Sequence, residues 1–227
     1  MRQAIARVAG LAICCAALTV TADPTLAGAP EWTLSMAAGA AGADDSSAVV
    51  QPAGGGPAGE SSDFSAFILL GIRGEAFPRA SGAGSRHFGL GLELMGLAGE
   101  ADIETTPGAG VEEVTLVAGV ITPSLIFRFG GRSCEAYVGA GPTLVWGTRL
   151  SDVAGTLLSD DDVDIEAPLG IAAFAGVRWT PASARWFLLF EGRYQSGEND
   201  FTLSNAAAEI HLDWRTTQFL IGSGYRF

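Results

Sequence analysis

Two histidines, His87 and His211, are the only imidazoles in the 227-residue chain. Proton transfer near neutral pH falls first to such groups. An activated hydroxyl nucleophile also needs its base within hydrogen-bond reach and an acid to orient that base. His211 is followed by Leu212 and Asp213, and Ser204 and Asn205 lie in the adjoining segment, so no serine stands two residues on. His87 begins a predicted strand at the end away from the long connections, the wrong end for an external lipid substrate. No catalytic residues are expected. Asp160, Asp161, Asp162, Asp164 and Glu166 put carboxylates at alternate positions, a pattern that could meet Ca²⁺. The calcium-loop spacing fails, because Ile165 stands where glycine is needed and no distant glutamate follows in register. This run is expected to be a solvated loop. Gly89-Leu90-Gly91 and Gly139-Ala140-Gly141 open no helix, so they are not phosphate loops. Neither cofactor nor metal is expected.

The informative charged residues are those that recur at a period of two. Arg73 and Glu75, Glu93, Arg128, Glu135, Arg178, Arg185, Glu191 and Arg193, and Arg226 each alternate with apolar neighbours. In 87–94, even positions are large and apolar and odd positions are small or charged. Period two means strand. Eight such segments are predicted, at 31–42, 64–76, 86–98, 114–129, 134–148, 167–179, 185–196 and 212–227.

The connections between them alternate in length. Residues 43–63, 99–113, 149–166 and 197–211 are long, and the second-to-last of these is acidic. The link near 77–85 is shorter, and Gly130-Gly131-Arg132-Ser133 and Thr180-Pro181-Ala182-Ser183-Ala184 are tight turns. Short turns on one side and long loops on the other are the habit of a membrane barrel, whereas a soluble sandwich has no reason to keep that parity. The expected fold is all-β: an eight-stranded antiparallel up-and-down transmembrane β-barrel, with no sheet edge left open.

Lipid contact demands an apolar outer face. Phe88, Leu90, Leu92, Leu94, Leu125, Phe127, Phe129, Trp186, Leu188 and Phe190 are expected there. Trp32, Trp146, Trp179, Trp186, Tyr194, Trp214, Tyr225 and Phe227 lie near strand ends and are expected to form aromatic girdles. The charged set lies on the opposite parity. In a narrow lumen filled by side chains its members must pair, so a closed Arg–Glu network is expected; a gated pore filtered by the same charges is the alternative.

Residues 1–22 read as a signal peptide. Arg2 and Arg7 precede an apolar stretch, Val20-Thr21-Ala22 offers a cleavage site, and Thr25-Leu26-Ala27 offers a later one at 27. The barrel domain is then 23–227. Cys14 and Cys15 fall inside the leader, with Ile13 and Cys14 in the places before them where lipidation needs a small residue. Cys134 is left alone, so no intramolecular disulfide is expected. Cleavage after Ala22 makes the net charge of −12 two units more negative. Such a chain makes a poor partner for nucleic acid, which asks for a basic patch.

The end Phe219-Leu220-Ile221-Gly222-Ser223-Gly224-Tyr225-Arg226-Phe227 resembles the closing strand of the small outer-membrane β-barrel proteins, the group containing the OmpA-like and OmpX-like barrels. Phe219, Ile221, Tyr225 and Phe227 match its alternate apolar positions and terminal aromatic, and Ser223 departs. The segment from Cys134 to Trp146 resembles a middle strand of the same barrels. The resemblance implies outer-membrane location, recognition by the barrel-assembly machinery, and contact with outer-membrane lipid and lipopolysaccharide, without the peptidoglycan-binding domain of longer relatives. It implies no single activity. The expectation is a monomeric, non-enzymatic barrel with a structural or surface-interaction role through its long loops. A narrow conduit for small or apolar molecules is the alternative. A lipid A-modifying enzyme and a soluble ligand-binding barrel stand behind these.

Overall fold

The computed structural model describes residues 30–43, 47–52, 59–61, 63–64, 67–78, 86–104, 111–131, 133–152, 163–165, 169–203 and 208–227. The expected signal peptide, most of the acidic run and the link 79–85 lie outside the described residues. Twelve strands are present among the described residues: β1 (Glu31–Ala43), β2 (Ser47–Pro52), β3 (Gly59–Ser61), β4 (Asp63–Phe64), β5 (Phe67–Phe77), β6 (Arg86–Glu104), β7 (Val111–Gly130), β8 (Cys134–Asp152), β9 (Val163–Ile165), β10 (Leu169–Trp179), β11 (Trp186–Leu203) and β12 (Ala208–Arg226).

Eight of them close a barrel. Each pairs antiparallel with its neighbour in the order β1, β5, β6, β7, β8, β10, β11, β12, and β12 returns to β1 with Thr33 opposite Arg226. Closure satisfies the backbone N–H and C=O groups that an open edge would leave bare, the condition for a sheet to sit in hydrocarbon. The eight-stranded expectation is met.

Two tight turns shape one end. Gly130 has φ of +125°, which a side chain would strain, and the Gly131 amide donates to Cys134 O at 2.9 Å. Ser183 takes the left-handed conformation at φ 66°, and Ala184 N–H donates to Pro181 O at 3.1 Å. Thr180 N–H donates to Ser133 O at 2.9 Å, tying the two turns together.

The other end departs from the loop expectation. The β6–β7 ladder runs out to Glu104 opposite Val111, and β11–β12 to Leu203 opposite Ala208. Segments 99–113 and 197–211 are therefore largely strand. The cause is in the residues: Glu100, Asp102 and Glu104 alternate with Ala101 and Ile103, the same period of two with a polar face in place of an apolar one. The short strands extend this sheet. β2 pairs with β12, β3 with β2, β9 with β11 and β4 with β6. A membrane crossing takes about 9–11 residues of strand, so strands of 18–20 residues such as β7, β11 and β12 extend well beyond it.

One stretch of the wall is unpaired. Between β7 and β8 the register runs through Ile121 opposite Leu144 and Leu125 opposite Ala140, and no pairing is made between them. That register sets Pro123 against Pro142. Neither has an N–H to donate, so the pair of bonds they would exchange is missing.

The outward face is apolar. Phe88, Leu90, Leu92, Leu94, Leu125, Phe129, Trp186 and Phe190 are exposed, and Phe127 and Leu188 are half-exposed beside them. Trp32, Trp179, Trp186 and Tyr225 are exposed near the turn end, with Trp179 and Trp186 meeting edge-on at 6.3 Å. Trp214 departs from the girdle expectation. It shares parity with Thr216 and Gln218, faces the lumen and is buried, its indole lying over Gly197, where a side chain would collide with it. The side chain of Trp146 lies outside the described residues.

Candidate functional site: the charged lumen

The lumen side chains follow from strand parity. Outward-pointing Ile72, Gly74 and Ala76 alternate with buried Arg73, Glu75 and Phe77 on β5, and the same alternation brings Glu93, Arg128, Arg178, Glu191 and Arg193 inward from β6, β7, β10 and β11. Their long side chains then meet across the barrel.

Arg73 donates to both oxygens of Glu191, Nη1 to Oε2 at 2.6 Å and Nη2 to Oε1 at 2.7 Å, the two-pronged geometry that suits guanidinium and carboxylate. It also reaches Glu93 at 3.3 Å and Glu75 at 3.8 Å. Arg193 bonds Glu93 and, at 2.8 Å, Glu191. Arg178 bonds Glu75 and lies 3.6 Å from Glu135. Arg128 bonds Glu31 at 2.6 Å and sits 3.7 Å from Glu135. Arg226 completes the turn end, 3.1 Å from Glu31 and 3.6 Å from Glu135. Among the described residues the network joins five arginines to five glutamates in one connected chain. Its formal charge is zero.

Aromatic rings fill the space between the ions. Arg128 lies over Phe77 at 3.7 Å, Arg73 over Phe174 at 4.4 Å, and Arg178 over Tyr137 at 4.4 Å and Phe187 at 5.1 Å. The Tyr137 hydroxyl donates to Glu191 at 2.8 Å, and the Thr33 hydroxyl donates to Glu75 at 2.8 Å. Phe77, Ile126, Tyr137 and Phe174 form an apolar cluster within the same lumen. A buried ion must be paired to be tolerated, and stacking on ring faces stabilises guanidinium further.

Nine of the ten charged residues singled out from sequence enter this network: Arg73, Glu75, Glu93, Arg128, Glu135, Arg178, Glu191, Arg193 and Arg226. Arg185 does not. It lies in the turn one residue before β11 begins, where its side chain is exposed and its carbonyl accepts from Arg226 N–H at 2.9 Å. Parity alone placed it inward, but parity holds only inside a strand. Sequence reasoning passed over Glu31, Tyr137, Phe77, Phe174 and Phe187. Glu31 had a signal, since it shares parity with Thr33 and Ser35. The aromatics had the same signal, since Phe77, Tyr137, Phe174 and Phe187 each share parity with charged residues of their own strand.

The residues of the closing strand lie outward. Phe219 and Ile221 are exposed, as is Tyr225; the departing Ser223 shares their face. Phe227 packs edge-on against Tyr225 at 5.1 Å, and its amide donates to Trp32 O at 2.9 Å. His87 is partly buried near the turn end with Nδ1 unpartnered, and the side chain of His211 lies outside the described residues. Cys134 is free and exposed at the start of β8.

No described protein family and no curated protein matches the sequence. Solved structures match its fold. The outer membrane protein OprG from Pseudomonas aeruginosa superposes with a TM-score of 0.62 at 15% identity, over 88% of this chain and 97% of that one. Neisserial surface protein A (NspA) gives 0.43 at 16% identity, over 87% and 97%. Ail, the attachment invasion locus protein of Yersinia pestis, solved with the heparin analogue sucrose octasulfate, gives 0.44 at 13% identity, over 88% and 99%. The likeness to OprG is one of fold: this chain has the architecture of a small outer-membrane β-barrel.

Proposed function

We propose that the protein spans the bacterial outer membrane as a non-conducting barrel and acts through the sheet held beyond the membrane at its loop end. The observation that carries this reading is the lumen network. A conduit needs a continuous path, and here Arg73, Arg178 and Arg193 are bonded across the lumen to carboxylates from other strands and stacked on rings. Opening a path would mean separating buried ion pairs, at about 3–5 kcal/mol for each partner left alone. The outward belt of Leu, Ile and Phe supports a lipid environment, and the terminal Tyr225 and Phe227 support recognition by the barrel-assembly machinery. The expected surroundings are outer-membrane lipid and lipopolysaccharide, with the barrel as a monomer and the extended β6–β7 and β11–β12 hairpins as the working surface. The proposed role is non-enzymatic.

Planar-bilayer recording tests it. Purified full-length protein should insert without sustained single-channel openings, and purified protein should not hydrolyse lipid A. Steady, voltage-independent conductance would overturn the closed lumen in favour of the conduit.

A further inference from the structure

The two ends of the barrel carry opposite charge. Segments 43–63, 99–113, 149–166 and 197–211 hold most of the chain's 25 acids and a single arginine, Arg149. The three connections at the turn end, each taken with the residue that follows it, hold Arg79, Arg86, Arg132 and Arg185 and no acid. Asp23, ahead of β1, and the terminal carboxylate are two negative charges against those four positive ones. Glu31 and Glu135 do not enter the balance, because Arg128, Arg178 and Arg226 already match them.

Aromatic rings fix the depth at which this positive charge sits. Trp32, Trp179, Trp186 and Tyr225 are exposed at the turn end. Trp186 stands opposite Tyr225 in the β11–β12 ladder and meets Trp179 edge-on. Rings with one polar edge settle where hydrocarbon gives way to headgroups. Arg185 is the next residue beyond Trp186, one strand step of about 3.3 Å. Its carbonyl accepts from Arg226 N–H at 2.9 Å, so its backbone is held while its side chain stays exposed. Register sets position 86 opposite exposed Phe129, on the face that carries exposed Phe88. Both arginines therefore stand at the level of lipid phosphates.

We propose that the turn end is a docking surface for anionic phospholipid of the periplasmic leaflet, with Arg185 and Arg86 binding the headgroup phosphates and the Trp179–Trp186 pair packing beneath them. This rests on the membrane-spanning reading above and adds the leaflet and the lipid class. A guanidinium meets phosphate through two parallel hydrogen bonds. Charge complementarity selects the occupant. A zwitterionic headgroup brings its own cation to the phosphate, whereas an anionic one leaves that charge for the protein to neutralise. The acidic segments at the loop end repel the same lipid, so the preference belongs to one end of the barrel.

The test reconstitutes the full-length protein into phosphatidylcholine vesicles and adds spin-labelled phosphatidylglycerol or spin-labelled phosphatidylcholine. Electron spin resonance reads the fraction of each that the protein surface immobilises. Phosphatidylglycerol should be preferred by about two- to fivefold in low salt, with the preference falling towards parity in about 1 M salt. The double variant R86Q/R185Q should keep the heat-modifiable gel mobility of a folded barrel and lose at least about half of that preference. Arg149→Gln, in the loop-end segment, should leave it unchanged. If the double variant does not fold, Arg185→Gln alone carries the test and should weaken the preference in the same direction. Equal immobilisation of the two lipids, a preference indifferent to salt, or one that survives the arginine variants would overturn the docking surface. An immobilised fraction for either lipid marks a spanning barrel. Its absence would overturn the membrane-spanning reading along with this one, whereas its presence without preference overturns this one alone.

Discussion

Glu191 accepts from Arg73, Arg193 and Tyr137, so three buried donors lean on one carboxylate. Substituting Glu191→Gln keeps the shape and leaves two guanidiniums short of charge. Loss of about 3–5 kcal/mol in unfolding from micelles or bilayers is expected, measured by urea titration. Arg185→Ala should change stability by about 0.5 kcal/mol or less, because that side chain is solvated in its turn. Equal effects from the two would mean that the lumen is hydrated and its ions already screened. At this scale the sequence was legible in one respect and mute in another. Alternation revealed that Arg73, Glu93 and Glu191 share an inner face. It could not pair Arg73 with Glu191, because partners 118 positions apart are chosen by the tilt and closure of the barrel.

The strands themselves were readable wherever a period of two met a change of polarity. The misread segments were those where alternation continued with polar residues, as in Glu100 to Glu104, which resemble loop by composition and are strand by pairing. Burial distinguishes the two cases only after folding. The β7–β8 wall carries its own prediction. Pro123 and Pro142 stand opposed where the ladder lapses, so Pro142→Ala restores one donor towards the Pro123 carbonyl. A gain of about 0.5–1.5 kcal/mol is expected, with a slowly exchanging amide at position 142 by hydrogen exchange. A fast-exchanging amide there would show that the strands are splayed for a reason other than the missing donors.

Over the whole molecule, closure depends on the seam between β1 and β12. Gly39 and Gly222 stand in that seam with backbone oxygens of Phe219 and Met36 where a Cβ would go, so the two strands approach as only glycine permits. Phe227 lies at the end of the seam, its amide bonded to Trp32 O and its ring against Tyr225. Deleting Phe227 removes this last clasp along with the terminal aromatic. Cell fractionation should show less protein reaching the outer membrane and more left unassembled in the periplasm, and unchanged insertion would reduce Phe227 to one more ring in the girdle.

That same seam sets the order of events in folding. Thr33 pairs with Arg226 across nearly the whole length of the chain, and so long a closure costs entropy before any contact repays it. The seven ladders joining neighbours in sequence can form locally, but the eighth must wait for the final strand. Half a barrel would expose two raw edges and an unneutralised set of lumen ions, so partial structures gain little by persisting. Folding is therefore expected to be slow, and commitment to the native state comes only when the first strand of the barrel finds the last.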